Sequence, residues 1–483
     1  MGNAGTGWTE PTLCYGEPME HRLTRSFTQR PVQGERILYW MQASVRVRDN
    51  LALVLAQREA HERGLSLEVL FCLDPSFPEA NARSFAYLLD GLEDVAGGLA
   101  AIGLKLTVAL SQAAVAVPVA AQRAALVFFD TGYLPLARRQ REDIAQSLPC
   151  PVITAEDNAA IPVSASGKEE WSAATLRPKL MRLATLEGCL PQSVPGFAAS
   201  RPEVLASDLA AAGIAQVDRP NRLCLARLGV DESVAPTETR GGEAPAWERW
   251  KRFRDHRLQR YDQDRNDPNL DGASGLAPAL HFGHISPLSL MADLKRQGLW
   301  REPVTFRKAG EDPVSKFLDE VLVRRELSFN FVRFNPDSAT WLGLPAWARK
   351  TLLEHKDDRR AATYDRAAWE TARTHDRVWN AAQFQLASTG TLHGYMRMYW
   401  GKKILEWSAD PGQAYLDALY LNNKYALDGR DPNSYAGVAW CFGKHDRPWG
   451  ERAVYGLVRS MTEGGLRRKF DVDRYVRRFT PPS

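Results

Sequence analysis

The first half of the chain alternates short apolar segments with longer amphipathic ones. Five apolar runs have the length of β-strands, namely Arg36–Trp40, Leu67–Leu73, Leu104–Leu110, Leu126–Asp130 and Val152–Thr154. After each of the first two runs, apolar residues recur at helical spacing, over Val45–Arg63 and Ala82–Ile102. Short apolar strands that alternate with amphipathic helices are typical of a parallel sheet covered on both faces. The pattern therefore predicts an α/β domain.

The second half has helical periodicity from Trp247 onward, and none of its segments has the pattern of a strand. The predicted helices are Trp247–Tyr261, Pro313–Phe334, Arg366–Ala387, Leu392–Trp407 and Tyr415–Tyr425. Asp312 is placed to cap the second helix, because its side chain can accept a backbone N–H, and Pro313 suits the first helical position. We therefore expect an all-helical second domain.

Composition divides the chain into four parts. We assign residues 1–35 to an N-terminal extension, 36–155 to the α/β domain, 156–246 to an interdomain connection and 247–483 to the helical domain. Clusters of Gly, Pro and Ser interrupt the connection, which is expected to carry a few short helices, Trp171–Leu186 among them.

Charge and tryptophan are distributed unequally between these parts. The 483 residues carry a net charge of +4, but the balance is −5 over residues 1–246 and +9 over residues 247–483. Of the 14 tryptophans, 11 follow residue 220. A basic, tryptophan-rich half suits an anionic partner with flat rings, such as nucleic acid or a dinucleotide. The alternative is that Trp and Arg pack a large helical core.

Several classes of protein are disfavoured. No apolar run approaches the roughly 20 residues of a membrane span, and the N-terminus lacks a secretory pattern, so we expect a cytoplasmic protein. The six cysteines have irregular spacing, which argues against disulfide frameworks and cysteine metal sites. His281 and His284 lack a third ligand at a fitting distance, so no metal is expected. A Gly-x-Gly-x-x-Gly turn, a Walker loop and a Gly-x-Ser-x-Gly elbow are all missing from the sequence.

Three tryptophans stand in a pattern that suits electron transfer. Trp400 and Trp407 are seven residues apart and share one helix face, about 10 Å apart along the axis. Trp379 lies on the preceding helix, which a short turn folds back alongside. A row of closely spaced indoles can relay an electron, because each hop is short and indole is oxidisable. An aromatic core seam explains the same spacing.

Charged residues suggest a polar ligand in the helical half. Asp428 lies in a turn, and if it approaches Arg397 the two would form a buried ion pair able to hold a planar ligand. Trp440 offers a ring face to a base, or else packs in the core. Glu320 and Arg324 have the spacing of an ordinary helical surface pair, whereas a buried Glu320 would be available to a base edge.

Taken together, six segments resemble the class II cyclobutane pyrimidine dimer photolyases. The segments are Tyr39–Leu53, Arg265–Pro268, Leu280–Gly283, Phe317–Leu327, Leu421–Asn433 and Trp440–Trp449. They occur in the family's order from about residue 36 to the C-terminus. The resemblance implies a Rossmann-like N-terminal α/β domain and a C-terminal helical domain that binds a U-shaped FAD.

The resemblance also implies a role for individual residues. The FAD contacts would be Tyr261, Ser274, Gly275, Leu276, Ala277, Arg397, Asp428 and Asn422. The electron-transfer chain that reduces the flavin in light would be Trp400, Trp379 and Trp407. The residues that meet the flipped-out dimer would be Glu320, Met398, Trp440, Arg265, Asn266 and Tyr364. Glu320 and Asn422 would also act in catalysis. The family usually has Ser where this chain has Ala277.

The implied activity is light-driven repair of pyrimidine dimers by a monomer that needs DNA but no protein partner. A second, light-harvesting chromophore, a deazaflavin or another antenna, would lie near Trp40–Arg48. Two alternatives stay open: a cryptochrome-like FAD photosensor on the same fold, and a light-independent nucleic-acid-binding protein.

Overall fold

The computed structural model describes residues 21–183, 200–300 and 312–480. Most of the predicted N-terminal extension, residues 1–20, lies outside these ranges, as do the last residues of the predicted helix Trp171–Leu186. The observed helix there, α5, spans Ala173–Leu183.

Six strands form one sheet in the first part of the chain. They are β1 Leu23–Ser26, β2 Arg36–Met41, β3 Ser66–Leu73, β4 Leu106–Leu110, β5 Ala124–Asp130 and β6 Val152–Ala155. Their order is β1-β6-β5-β2-β3-β4, and all neighbours are parallel except β1 and β6. The predicted α/β fold class is confirmed. The antiparallel edge strand β1 comes from the stretch assigned to the N-terminal extension, where no strand was predicted.

Helices cover both faces of the sheet because successive strand residues point in opposite directions. The helices of this region are α1 Leu51–Arg63, α2 Ala82–Ala101, α3 Ala113–Ala121, α4 Pro135–Ser147 and, beyond α5, α6 Pro202–Ala211. Ile37 and Tyr39 of β2 pack against α1 and α2. Leu38 and Trp40 face α3, α4 and α6. Every residue of β2, β3 and β5 is buried, as expected for a doubly covered parallel sheet.

The rest of the described chain is helical. Its α-helices are α7 Glu243–His256, α8 Tyr261–Asp264, α9 Ala277–His281, α10 Pro287–Arg296, α11 Pro313–Leu318, α12 Arg325–Phe334, α13 Ala346–Glu354, α14 Arg366–Glu370, α15 Arg377–Thr389, α16 Gly394–Glu406, α17 Pro411–Tyr425, α18 Pro432–Cys441, α19 Glu463–Arg467 and α20 Val472–Arg478. Single 3₁₀ turns lie at Val163–Ser166, Arg222–Arg227, Leu258–Arg260 and Trp341–Gly343. In this part of the chain the described helices bury two hydrophobic clusters rich in aromatic residues.

The predicted helix Pro313–Phe334 is present, with a π-helical turn inside it. Asp312 accepts the Ser315 N–H at 3.0 Å, so the predicted N-cap is confirmed. Between α11 and α12 the residues Asp319–Arg324 form a π turn. Such turns occur often at functional sites.

Two other predicted helices are interrupted. The segment Trp247–Tyr261 is not one helix, since α7 ends at His256 and a 3₁₀ turn precedes α8. The segment Arg366–Ala387 is divided into α14 and α15. Between them Ala372 has a φ of 52°, a left-handed conformation that ends a helix. Asp376 then caps α15 by accepting the N–H groups of its first turn.

Buried arginines join the two domains. Arg83 on α2 donates to the carbonyl groups of Leu386, Ala387 and Tyr425 in the helical domain. From the loop after β2, Arg46 donates to the Gly283 carbonyl at 2.9 Å. Each guanidinium donates to several carbonyl groups, and these hydrogen bonds fix the two domains relative to one another. Within the described ranges, every helix is too short or too polar to cross a lipid bilayer.

We predict that Arg83→Ala lowers the free energy of unfolding by about 2–3 kcal/mol, because three carbonyl groups of the helical domain lose the charged donor that they share. The measurement is chemical denaturation followed by circular dichroism. Arg123→Ala serves as the control, since Arg123 makes a half-exposed ion pair with Glu35 and such pairs contribute about 0–1 kcal/mol. Equal stability of the two variants would contradict the prediction.

Candidate functional site

An ion pair joins α16 to the segment that follows α17. Arg397 Nη2 donates to both carboxylate oxygens of Asp428, at 2.9 and 3.0 Å. The two side chains are only 20% and 17% exposed. Arg397 Nε is buried and has no acceptor in the described part of the chain. A buried N–H without an acceptor is rare in proteins, so this atom marks a place that suits a polar ligand.

Asn422 and Gln383 each present a further unpaired polar atom. The Asn422 Nδ2 donates to Ser434 Oγ at 2.5 Å, and Ser434 Oγ donates to Asn423 Oδ1 at 2.6 Å. These bonds fix the Asn422 amide, whose buried Oδ1 has no donor among the described residues. Gln383 Oε1 accepts the Trp400 Nε1–H at 2.9 Å, whereas its Nε2 is buried and unpaired. The unpaired atoms of Arg397, Asn422 and Gln383 lie on three helices that pack in succession, α15, α16 and α17.

The predicted phosphate turn leads into the short helix α9. Ser274 Oγ accepts the Leu276 N–H at 3.4 Å, and Leu276 is buried. Ala277 opens α9 and supplies no hydroxyl group. Tyr261 is also buried, which raises the pKa of its phenol to about 12.

Gly275 allows this turn to pass close to an arginine. Its φ is 66°, a conformation that favours glycine, and a Cβ built on it would lie 3.3 Å from Arg249 Cδ. Arg249 Nη1 is buried and has no acceptor in the described chain. Sequence reasoning missed Arg249, because its place beside the turn depends on the packing of α7. A cation here suits a phosphate group.

A polar cavity of about 220 Å³ brings together several residues predicted to meet the substrate. It is lined by Asp262, Arg265, Asn266, Lys316, Asp319, Glu320 and Arg324. Arg265 Nη2 donates to Glu320 Oε1 at 2.5 Å. Glu320 lies on the π turn, which aims it at Arg265 instead of Arg324. The helical surface pair Glu320–Arg324 is therefore not formed.

Arg324 connects this cavity with two further predicted residues. Its guanidinium carbon lies 5.5 Å from the centre of the Trp440 ring, and its Nε donates to Asp319 at 3.4 Å. Cys441, next to Trp440, has its Sγ 3.9 Å from Met398 Sδ. Trp440 and Met398 thus lie on neighbouring helices, Trp440 beside Arg324, and both are partly exposed.

The predicted tryptophan row is present but has an additional member. Trp379 and Trp400 stack with ring centres 6.3 Å apart and planes within 6°. Trp379 Nε1 donates to the Trp400 carbonyl at 2.9 Å. The described ring contacts do not join Trp379 to Trp407. Trp369 stands between them, 4.9 Å from Trp379 and 6.3 Å from Trp407.

Tyr364 lies with these tryptophans and does not line the cavity that holds Glu320. Its ring centre is 5.2 Å from Trp369 and 6.1 Å from Trp407. Its backbone N–H donates to the Trp407 carbonyl at 3.0 Å, which holds Tyr364 at the end of α16. This placement differs from the predicted contact with the dimer.

A second cavity, of about 230 Å³, lies between the two domains. It opens at the carboxyl ends of β2, β3 and β5. The order of the strands reverses here, since β3 lies on one side of β2 and β5 on the other. Such switch points are the usual ligand crevices of parallel sheets. Its lining includes Gln42 and Ala43 from the predicted antenna stretch and several aromatic rings. Its charged residues are Arg141, Arg325, Arg430, Asp74 and Asp431.

The two histidines considered as metal ligands have separate partners. His281 Nδ1 lies 3.2 Å from Asp431 Oδ2 at the interdomain cavity. Burial by itself raises the pKa of Asp431, but the hydrogen bond from His281 and nearby Arg325 hold it below its usual value. His284 Nδ1 accepts the Gly242 N–H, and burial lowers its pKa to about 3. No three His, Cys, Asp or Glu side chains in the described ranges group as metal ligands.

Comparison with known proteins assigns the chain to a family. A family model described as DNA photolyase matches residues 37–195. The deoxyribodipyrimidine photo-lyase of Methanothermobacter thermautotrophicus is 40% identical over 458 residues, covering 92% of this chain and 95% of that protein. The protein of the same name from Potorous tridactylus is 34% identical over 456 residues, covering 93% and 82%. A class III photolyase structure from Agrobacterium tumefaciens aligns with a TM-score of 0.64 and 20% identity, over 93% of this chain and 87% of that chain, which shows a shared fold.

Proposed function

Since this chain belongs to the DNA photolyase family, we propose that it is a light-driven enzyme that splits cyclobutane pyrimidine dimers in DNA, using reduced FAD. Four relatives named deoxyribodipyrimidine photo-lyase are 32–40% identical to it over most of its length. The observation that carries the proposal is the largely buried Arg397–Asp428 pair, three residues before Trp400 on α16, together with the unpaired Asn422 oxygen on the neighbouring helix α17. The class II assignment rests on the sequence segments quoted above.

The residues around this ion pair fit FAD. Arg397 and Asp428 would pair beside the flavin ring, where the free Arg397 Nε–H can donate to a ring oxygen or nitrogen. The Asn422 Oδ1 would accept the N–H that a reduced isoalloxazine presents. The turn at Gly275, with the neighbouring Arg249 guanidinium, and buried Tyr261 would hold the phosphates and ribityl chain. When bound, FAD supplies the photoexcited electron that splits the dimer.

The cavity that contains Glu320 would receive the extruded dimer. A lesion inside a duplex must be flipped out, which costs a few kcal/mol and least for a damaged pair. Arg265 would hold Glu320 in place and, with Asn266, approach the lesion. Trp440 offers a ring face for stacking and Met398 an apolar contact. A carboxyl group that hydrogen-bonds the dimer would stabilise the charge that develops on it during splitting.

The interdomain cavity fits a second planar chromophore. Its aromatic walls suit a ring system, and the charged lining of three arginines with Asp74 and Asp431 suits polar substituents on that ring. We infer an antenna site here, of the deazaflavin type or another, and the absorption spectrum of the purified protein would reveal its identity. The helical domain's excess of basic residues would bind DNA phosphates, so affinity for damaged DNA is expected to fall with salt.

Repair is tested directly with dimer-containing DNA. Chemically reduced, FAD-loaded protein should remove dimers under near-ultraviolet to blue light and not in the dark, measured as loss of dimers. Lys105→Ala, which removes an exposed cation from the α/β domain, should repair normally. Light-dependent reduction of FAD without any loss of dimers would indicate a photosensor, and a colourless protein that takes up no FAD would refute both functions.

Arg397→Ala should weaken FAD binding by roughly tenfold or more, which corresponds to about 1.4 kcal/mol. The reason is that Asp428 loses its partner while remaining largely shielded from water. The measurement is FAD titration of the apoprotein, with Arg123→Ala as the surface control. An unchanged dissociation constant, with the variant folded by circular dichroism, would show that the pair does not contact FAD.

Trp379→Phe should slow light-driven reduction of bound FAD by roughly tenfold or more. Phenylalanine is much harder to oxidise than indole, so the second step of electron transfer is lost. Dimer repair by chemically reduced protein should stay within about twofold of wild type, because repair does not use the row. Trp247→Phe, which alters a buried tryptophan that makes no ring contact with Trp379 or its neighbours in the described structure, is the matched control. Loss of both activities together would exclude an electron-transfer role.

A further inference from the structure

Trp369 lies between two tryptophans that the sequence pattern predicts to be neighbours. In an unbroken helix over Arg366–Ala387, Trp369 and Trp379 would lie about 15 Å apart along the axis. The helix is broken at Ala372, and the two ring centres come to 4.9 Å. Trp369 therefore has ring contact with the row because the segment is not one continuous helix.

The ring contacts of Trp369 connect the inner row with its outer end. Beyond Trp379, it lies 6.3 Å from Trp407 with planes within 13°, and 5.2 Å from Tyr364. Trp407 is 2% exposed, whereas Tyr364 is partly exposed. Among the described ring contacts, every path from Trp379 to Trp407 or Tyr364 passes through Trp369.

The surroundings of Trp369 keep its ring proton in place. The residue is fully buried, and its Nε1–H has no acceptor in the described part of the chain. The Nε1–H of Trp379 donates to a backbone carbonyl and that of Trp400 to an amide oxygen, neither of which is a base. At Trp369, Trp379 and Trp400 an oxidised indole would therefore keep its ring proton, and the positive charge could move onward instead of being trapped by loss of a proton.

We propose that Trp369 is a fourth electron-relay residue, the branch through which Trp379 is refilled from Trp407 or Tyr364. The inference rests on the proposed function. With FAD bound, Trp400 would give one electron to the photoexcited flavin, Trp379 one to Trp400, and Trp369 one to Trp379. Trp369 would then take one electron from the outer ring, which a soluble thiol reductant would finally refill. Each step moves one electron, and no bond or proton is exchanged between the tryptophans.

Trp369→Phe tests the proposal. The variant should slow light-driven FAD reduction in the presence of a thiol by roughly tenfold. It should also shorten the lifetime of the tryptophan radical signal in time-resolved absorption, because the charge can no longer leave Trp379. The control Trp247→Phe should leave both quantities unchanged. A Trp369→Phe protein with wild-type reduction rate and radical lifetime would overturn the proposal.

Outer-ring variants give a second measurement that does not depend on the folding of Trp369→Phe. If Trp369 feeds two branches, Trp407→Phe and Tyr364→Phe should each slow reduction only about twofold, and the double variant by roughly tenfold. If the double variant reduces FAD at the wild-type rate, neither outer ring refills Trp379 and the proposal is refuted.

The FAD-free protein separates this proposal from the proposed function. Closely stacked indoles couple in near-ultraviolet circular dichroism, so Trp369→Phe and Trp379→Phe should both reduce that signal in apoprotein, while Trp247→Phe should not. An unchanged signal in Trp369→Phe would exclude the ring contact. Failure of the proposed function would instead appear in the wild type, as FAD that light and thiol never reduce whatever the residue at position 369.

Discussion

The Arg397–Asp428 ion pair is the interaction on which the candidate site depends. Both groups are largely removed from water, so neither charge is tolerable without the other. Arg397 lies three residues before Trp400, and both are on α16. Asn422 is on α17, and Asp428 follows that helix, six residues after Asn422. A single buried pair therefore fixes the relative position of the first tryptophan of the row and of the amide proposed to meet the flavin.

The turn that carries Asp428 also links the two proposed ligand sites. Arg430 and Asp431 line the interdomain cavity, while Asp428 faces Arg397 in the helical domain. Arg430 has a φ of 62°, and its backbone N–H donates to the Asn423 side chain at 2.9 Å. In this conformation Asp428 faces Arg397, whereas Arg430 and Asp431 face the interdomain cavity. A chromophore in the cavity and a flavin beside Arg397 would therefore contact the same short turn, at residues two and three positions apart in the sequence. Two chromophores that share one turn would lie near each other, which favours transfer of excitation energy between them.

Local patterns predicted much of this structure, and non-local contacts account for what was missed. The strands β2 to β6 and the Asp312 cap follow from apolar runs and capping chemistry, which act within a few residues. The edge strand β1 is short and half-buried, so its sequence lacks a clear apolar run. The partner of Glu320 is Arg265, 55 residues away in the chain, and a π turn that no simple pattern predicts brings them together. The helix break that brings Trp369 to Trp379 could have been predicted, because Asp376 is a good N-cap inside the segment assigned to one helix.

The alternative of an aromatic core seam and the proposed relay require the same geometry. Both need buried, closely packed indoles, and burial of Trp379 and Trp400 stabilises the helical domain whether or not they carry electrons. What separates the two interpretations is the hydrogen bonding of the ring nitrogens. A core seam is indifferent to the chemistry of the acceptor, whereas a relay fails if an indole radical loses its proton to a base. In this row the acceptors are a carbonyl and an amide, and Trp369 has no acceptor in the described chain. At these three rings the acceptors meet the requirement of the proposed relay, which the spacing of the rings alone does not address.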